Sequence, residues 1–418
     1  MSESAAPTPA RISLFVGKGG VGKSTLAAAT AVRDARAGRR LLVVSTDQAH
    51  SLGEVLGVQV PPTARRDPVR VLTHDAGGGF LDALALDTLA LLEARWREVV
   101  DMLDRRFPDS ELAAVAPEEL SALPGAQEVL GLHEVGGLAT TGQWDRIVVD
   151  CASTADALRM LTLPSAFGLY LERVWPRHRR LSMTVNDARS AALVDLVERI
   201  GAGLERLRAL LTDGERVGAH LVLTAERVAA AEAVRTLGAL ALMGVRVEEL
   251  IVNQVLLQDD SYEYHNLPEH PAFEWYTHRI GEQRAVLDEL NATIGDVALV
   301  LAPYLAGEPI GPKALGDLLE NAWRRGGSAP PGPLRPVVDL ESGSGLGSVY
   351  RLRLELPQLD SGTLTLGRVD DDLIIGAGGI RRRIRLASVL RRCTVLDAHL
   401  RGSELTVRFR PDPEVWPQ

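Results

Sequence analysis

The chain has 418 residues, 46% of them hydrophobic and 24% charged, with a net charge of −9 at neutral pH. That length allows two or three domains with cores of their own, and the acidic balance argues against general nucleic-acid binding, so no nucleic-acid partner is expected. Two cysteines, Cys151 and Cys393, exclude a disulfide framework and a four-thiolate metal site within one chain, and they fit a reducing compartment.

The first ten residues, MSESAAPTPA, have neither a basic start nor an apolar centre. Residues 1–10 are therefore expected to be a disordered lead-in and not a signal peptide. No run approaches about 18 consecutive apolar residues, so no transmembrane helix is expected and the chain reads as cytoplasmic.

From residue 11 to about 325, short apolar runs alternate with helical patterns, which predicts βα units on a parallel sheet. The predicted strands are Ile12–Val16, Leu41–Ser45, Val69–Thr73, Ile147–Asp150, His220–Thr224, Leu250–Asn253 and Val297–Leu301. Their lack of alternation suits strands buried on both faces. Between Phe80 and Gly142, and again between Leu163 and Gly214, helices are expected without intervening strands. This predicts a helical insertion over about 80–142 and 163–214. Leu89, Leu92, Trp96, Val99 and Leu103 share one helical face there, which is either extra packing or a binding surface.

At Arg324 the texture changes. RRGGSAPPGPLRP is rich in Gly and Pro, and predicts a linker at 326–336 that ends the 11–325 domain. Beyond it the period becomes two. In YRLRLELP, Tyr350, Leu352, Leu354 and Leu356 alternate with Arg351, Arg353 and Glu355, and ELTVRFR repeats the pattern at Leu405, Val407 and Phe409. Such alternation marks half-buried antiparallel strands, so 337–418 is expected to be an all-β sandwich.

The chemistry concentrates near the start. Gly17–Thr25 reads GKGGVGKST, a G-x-x-x-x-G-K-[ST] match lying between the apolar strand ISLFV and an alanine-rich helix closed by Gly38. In that setting Gly17, Lys18, Gly19, Gly20, Val21, Gly22, Lys23, Ser24 and Thr25 make a phosphate loop whose amides curl around a β-phosphate. Lys23 would bridge the β- and γ-phosphates and the Ser24 hydroxyl would bind Mg²⁺, so ATP and Mg²⁺ are the expected cofactors. Lys18 is either a solvated loop lysine or something more specific. It resembles the signature lysine of dimeric nucleotide switches, and that resemblance implies a cation reaching the partner subunit's phosphates. A cation supplied in trans stabilises transition-state charge only once the dimer closes.

Asp47, in STDQAHS, lies just past a strand's carboxyl end. It either orients and deprotonates an attacking water or caps the next helix. Asp150 ends WDRIVVD in the manner of a Walker-B carboxylate that holds Mg²⁺ through water, and the Asn253 amide, ending its own strand, suits an adenine edge. Lys18, Lys23 and Asp47 are thus the expected catalytic set, and Ser24, Asp47 and Asp150 the expected metal set.

Taken together, KGGVGKST, STDQAHSL, IVVDCAST…LRML and IVNQ resemble the ArsA-type ATPases, which include the arsenical-pump ATPase and the ATPase that targets tail-anchored membrane proteins. EELSALPGAQEVLGL (118–132) is similar to the start of that family's helical subdomain. The likeness runs in unbroken order from residue 11 to about 322. It implies an α/β P-loop NTPase fold, a mostly parallel sheet flanked by helices with a helical insertion, and ATP hydrolysis by a homodimer. It further implies that Asp47 is the switch I aspartate, with His50 and Ser51 completing the loop, and that Asp150 opens switch II. By the same resemblance Asn253 contacts adenine, and Pro303, in LAPYL, falls in the adenine loop. Two departures stand out: Gln48 replaces a proline in switch I, and Ser153, Ala155 and Asp156 replace Pro, Gly and His in switch II. They bear on the coupling of hydrolysis to helix movement and not on nucleotide binding.

Within that family the pump ATPases bind arsenite with clustered cysteines, and the eukaryotic targeting factor uses a C-x-x-C zinc clasp. Neither arrangement exists here, and Cys151 reads as a small core residue beside the site and not as a ligand. The leading expectation is therefore targeting or chaperoning of a hydrophobic protein client, with a membrane-protein partner possible. An arsenite-type extrusion motor and a nucleotide switch with little turnover are the alternatives. The C-terminal strands, YRLRLELP, DDLIIGAGGIRRRIRLASVL and DAHLRGSELTVRF, resemble in their order the α-crystallin fold of small heat-shock proteins. Its Arg-rich run, Ile380–Arg392, is either a solvated edge that discourages sheet aggregation or a docking patch for acidic partners or the ATPase body.

Overall fold

A computed structural model describes residues 8–47, 51–74, 77–106, 126–159, 161–163, 175–176, 179–180, 188–256, 269–326, 334–359 and 361–416. In chain order, β1 (Arg11–Gly17) leads into α1 (Lys23–Arg36), followed by β2 (Arg40–Ser45), α2 (Leu52–Leu56), β3 (Pro62–Thr63), β4 (Val69–His74) and β5 (Gly79–Leu86). Next come α3 (Thr88–Arg106), α4 (Ala126–Ala139), β6 (Arg146–Asp150), α5 (Ala188–Leu211) and β7 (Val217–Thr224). They are followed by α6 (Arg227–Met243), β8 (Val247–Val255), α7 (Pro271–Thr293), β9 (Ala298–Pro303), α8 (Gly311–Glu320) and β10 (Trp323–Arg325). The C-terminal strands are β11 (Val337–Ser342), β12 (Val349–Glu355), β13 (Thr365–Val369), β14 (Asp372–Ala377), β15 (Ile380–Arg385), β16 (Cys393–Arg401) and β17 (Glu404–Pro411). The chain divides into two units, Met1–Val222 with Leu305–Ala322, and Leu223–Tyr304 with Trp323–Gln418.

The first unit carries a sheet in the order β7-β1-β6-β2-β5-β3, parallel throughout, with β4 antiparallel against β5. β1 sits between β6 and β7 and is buried from Ile12 to Gly17, as a central strand covered on both faces must be. Helix α1 covers it with small residues, from Ala27 to Ala31, that let the helix lie close to the sheet. On the other side of α1, Arg36 reaches α8, donating to the Pro312 carbonyl at 3.0 Å and lying against Gly316.

Each expected strand is present, with β7 beginning at Val217 and β8 at Val247, ahead of the expected His220 and Leu250. Two expectations need correction. The stretch from Phe80, expected to open a helical run, is the buried strand β5, and helix begins only at Thr88. Its leucines and alanines favour helix, but Asp82 is buried there between the Arg70 guanidinium and the Trp144 Nε1, which donates at 2.9 Å. Val69–Thr73 is a strand, yet it pairs antiparallel with β5 as a half-exposed hairpin arm. On α3, Leu91 and Leu92 are buried, Trp96 is half-buried and Leu89 exposed, so the shared face is packed in part and open in part; nothing is described of the Val99 and Leu103 side chains. Of the second helical stretch, α5 is described, and of 118–132 only the part from Ala126 onward.

In the second unit, β8 pairs parallel with β9, and β10 closes antiparallel on β9 using Arg324 and Arg325, which had been read as the start of the linker run. The C-terminal strands form two antiparallel sheets, β11-β12-β17-β16 and β13-β14-β15, around a core of Leu352, Leu354, Ile375, Leu405, Val407 and Phe409. The alternation read in β12 and β17 is the burial observed. Leu242, at the end of α6, belongs to the same core. Arg382 of β15 donates to the Leu242 carbonyl at 3.0 Å and to the Leu334 carbonyl at 3.3 Å. At that position the Arg-rich run docks on the end of a helix through the Leu242 carbonyl, one of the last carbonyls that a helix leaves without an intrahelical partner.

Among the described residues no helix is long and apolar enough to cross a membrane.

Candidate functional site

The loop between β1 and α1 is shaped by its glycines. Gly20 and Gly22 adopt φ of 80° and 91°, left-handed positions that residues with a Cβ avoid. Gly22 is the N-cap of α1 and no side chain caps that helix, so the amides of its first turn are left to an anion. At Gly17 a Cβ would lie 2.4 Å from the Val222 carbonyl of β7, so only glycine lets the strand turn out there. Lys18, Gly19 and Gly20 are exposed at the loop's rim, whereas Val21 and Lys23 are buried. The Lys23 Nζ donates across the loop to the Lys18 carbonyl at 2.9 Å.

Asp150 comes to the same place because β6 pairs with β1 up to Phe15 and with β2 up to Ser45. It is fully buried, and its Oδ1 has no hydrogen-bond partner among the described residues. Burial pushes its carboxyl up to about 6. The Ser24 hydroxyl and the Lys23 charge favour ionisation, the Asp47 charge opposes it, and Ser45 favours it more weakly. A second hydroxyl stands close by, since Ser51 Oγ donates to Ser24 Oγ at 3.1 Å. An orphan carboxylate oxygen, whose charge burial makes costly and a cation would offset, is with its neighbouring hydroxyls an all-oxygen donor set that fits a hard divalent cation.

Asp47 follows β2, half-buried, with its N–H donating to Ser45 Oγ at 3.2 Å. The N-cap of α2 is Ser51, so Asp47 does not cap that helix. Gln48 and His50 lie outside the described residues. One contributor was not singled out from the sequence: Thr46 ties the ends of β2 and β6 together, donating from N at 3.1 Å and from Oγ1 at 3.3 Å to the Asp150 carbonyl. Past Asp150 the chain is held by Ser153, whose Oγ donates to Asp156 Oδ2 at 2.7 Å and accepts the Asp156 N–H at 3.3 Å, opening the helical turn 154–159. Cys151 is buried, and burial together with the Asp150 charge pushes its thiol up to about 12, so it stays a neutral packing residue.

The other two predicted site residues lie in the second unit. Asn253 is buried on β8, and Pro303 ends β9 opposite Val255. Between them Gln254 takes φ of 58°, and the buried Gln283 of α7 holds it, accepting the Leu256 N–H at 2.9 Å and donating to the Gln254 carbonyl at 3.0 Å. No local signal in the sequence marks Gln283, because its partners are 27 and 29 residues away.

The family model described as anion-transporting ATPase matches residues 10–322, and one described as the HSP20-like domain found in ArsA matches residues 347–409. Protein Rv2184c of Mycobacterium tuberculosis is 78% identical over 100% of both chains. The protein SCO2128 of Streptomyces coelicolor is 34% identical across 98% of this chain and 99% of that one. The arsenical pump-driving ATPase of Escherichia coli is 30% identical over 253 residues, covering 58% of this chain and 39% of that protein. With a glycine-rich loop between strand and helix, a buried strand-end aspartate and family matches in both segments, the chain belongs to the ArsA family of anion-transporting ATPases and is an ATP hydrolase.

Proposed function

We propose that the protein is a Mg²⁺-dependent ATPase that acts as a homodimer, and that its nucleotide state opens and closes the helical region around a hydrophobic protein segment. The observation that carries the catalytic part is the buried Asp150, with its orphan oxygen, beside Ser24, Ser51 and the loop lysine Lys23. In this reading the amides and side chains of Gly17–Thr25 bind the phosphates, and Ser24, Asp150 and Asp47 hold the metal directly or through water. When bound, the metal neutralises charge on the β- and γ-phosphates. Asp47 orients the attacking water, and Lys18, exposed at the rim, reaches the partner subunit's phosphates. Asn253 and Pro303 receive the adenine. The 11–325 segment is the ATPase, and 337–418 adds a second surface for client binding or regulation.

The cysteines favour a protein client over an extruded metalloid. Soft metalloid ligation needs clustered thiolates, and this chain has two cysteines that lie in different units, each buried. Its relative in Escherichia coli carries the arsenical-pump name, yet that relationship covers 58% of this chain.

The test is paired. Lys18→Ala should bind ATP normally, hydrolyse it at least about a hundredfold more slowly, and sediment as a monomer where the wild type dimerises with nucleotide. Asp47→Asn should bind ATP and dimerise but turn over about a hundredfold more slowly. Wild-type turnover in Lys18→Ala would sink the trans-acting lysine, and wild-type turnover in Asp47→Asn the water-positioning role. A client is tested by adding an apolar helical peptide, which should bind in an ATP-dependent way.

A further inference from the structure

Strands β8 and β9 run in register from Glu249 against Ala298 to Val252 against Leu301, and their pairing resumes only at Val255 against Pro303. Two residues, Asn253 and Gln254, therefore stand where β9 supplies one, Ala302. This is a bulge, a device that re-aims a side chain and ends regular pairing. Gln254 takes its φ of 58° with a side chain that is exposed and supports nothing by packing. Left-handed backbone at a residue other than glycine persists only where the surroundings impose it.

The imposing group is Gln283. It lies on α7, 5% exposed, and spends both ends of its amide on this one bulge: Oε1 accepts the Leu256 N–H, and Nε2 donates to the Gln254 carbonyl. The two contacts hold the backbone just after the strained residue, at its own carbonyl and at the N–H beyond Val255, and Asn253 is the buried residue immediately before it. A buried amide with both ends satisfied by backbone is a rigid clamp, because releasing it would strand a donor and an acceptor.

We propose that Gln283 is a positioning residue for nucleotide selectivity: by locking the Gln254 bulge from α7, it sets the amide of Asn253 for an adenine edge and against a guanine. The inference rests on the reading of Asn253 as the base contact. It assigns to α7, through Gln283, a part in base recognition.

The experiment measures dissociation constants of ADP and GDP by calorimetry, with hydrogen exchange at the Leu256 amide as a direct readout of the clamp. Gln283→Leu should weaken ADP by roughly tenfold, the size of one well-placed hydrogen bond, and leave GDP little changed, so the ADP preference collapses. The Leu256 amide should lose protection in the same variant. Gln283→Glu keeps the acceptor for Leu256 but loses the donor to Gln254, and should lower the preference while retaining that protection. Adding Gln254→Gly to Gln283→Leu should restore the ADP preference, because glycine takes the left-handed position without a clamp. A merely structural role for Gln283 would lower the melting temperature without moving the ADP-to-GDP ratio. If that ratio holds in Gln283→Leu while Asn253→Ala lowers it, the clamp is refuted and the base contact stands. If Asn253→Ala leaves the ratio unchanged, the base contact itself is refuted, and the clamp's role with it.

Discussion

Ser153 and Asp156 hold each other at the start of the turn that follows Asp150: the Ser153 hydroxyl donates to the Asp156 carboxylate at 2.7 Å and accepts the Asp156 N–H at 3.3 Å. Both positions depart from the pattern of the resembling family, and in this chain they compensate each other as an N-terminal cap. The segment after the buried carboxylate thus keeps a defined helical start, 154–159, without the glycine and histidine expected there.

Ser153→Ala removes that cap and should cost about 1 kcal/mol of stability, with kcat for ATP falling more than KM rises. Urea unfolding and steady-state hydrolysis measure the two effects. A variant that loses stability but keeps the wild-type kcat would separate the cap from turnover.

Glu134 is buried on α4 between two cations, with Arg66 Nη2 and Arg95 Nη2 each at 2.7 Å. Burial alone would raise its carboxyl, but the hydrogen bonds from Arg95 and then Arg66 outweigh it and hold the group below its ordinary value. A depressed folded value contributes stability above the unfolded value near 4.5, and that contribution is lost as pH falls through the folded one. Glu134→Gln should therefore destabilise the protein by about 2–3 kcal/mol at pH 7, and the two unfolding curves should converge as pH falls below 4.5 and through the depressed folded value. A gap that does not narrow on acidification would show that the charge is not what matters.

Arg382 ties β15 to the end of α6 through the Leu242 carbonyl and to the segment before β11 through the Leu334 carbonyl. Arg382→Ala should cost about 1–3 kcal/mol, as for hydrogen bonds made by a charged donor. Arg382→Lys should recover only part of it, since one ammonium does not reproduce a planar fork spanning two carbonyls. Equal stability of all three proteins in urea would mean that the apolar contact of Leu242 alone holds the strands to the helix.

Legibility followed locality. The strand–loop–helix setting of Gly17–Thr25 could be read because its glycines, its lysines and Ser24 lie within nine consecutive residues between an apolar run and a helical pattern. The place of Asp150 at a strand's carboxyl end could be read because the buried strand before it is a short apolar run. β5 was misread where a non-local partner overruled local preference: a leucine- and alanine-rich stretch with an aspartate in it suits a helix until Arg70 and Trp144 come to meet Asp82. Period alone defined the helical face of Leu89, Leu92 and Trp96 and left open whether it packs, since what lies against α3 decides which arc of it is buried.

The glycine-rich motif after β1, the order of the βα units, the period-two strands after Val337 and the scarcity of thiols were legible in the amino-acid sequence, because each is written in adjacent residues or in composition. Only the tertiary structure decided that the Asp150 oxygen is orphaned, that Ser51 reaches Ser24, that Arg382 meets the end of α6, and that Gln283 clamps Gln254. Each of these joins groups far apart along the chain. Whether two such groups meet depends on strand register and helix packing, which no local pattern records.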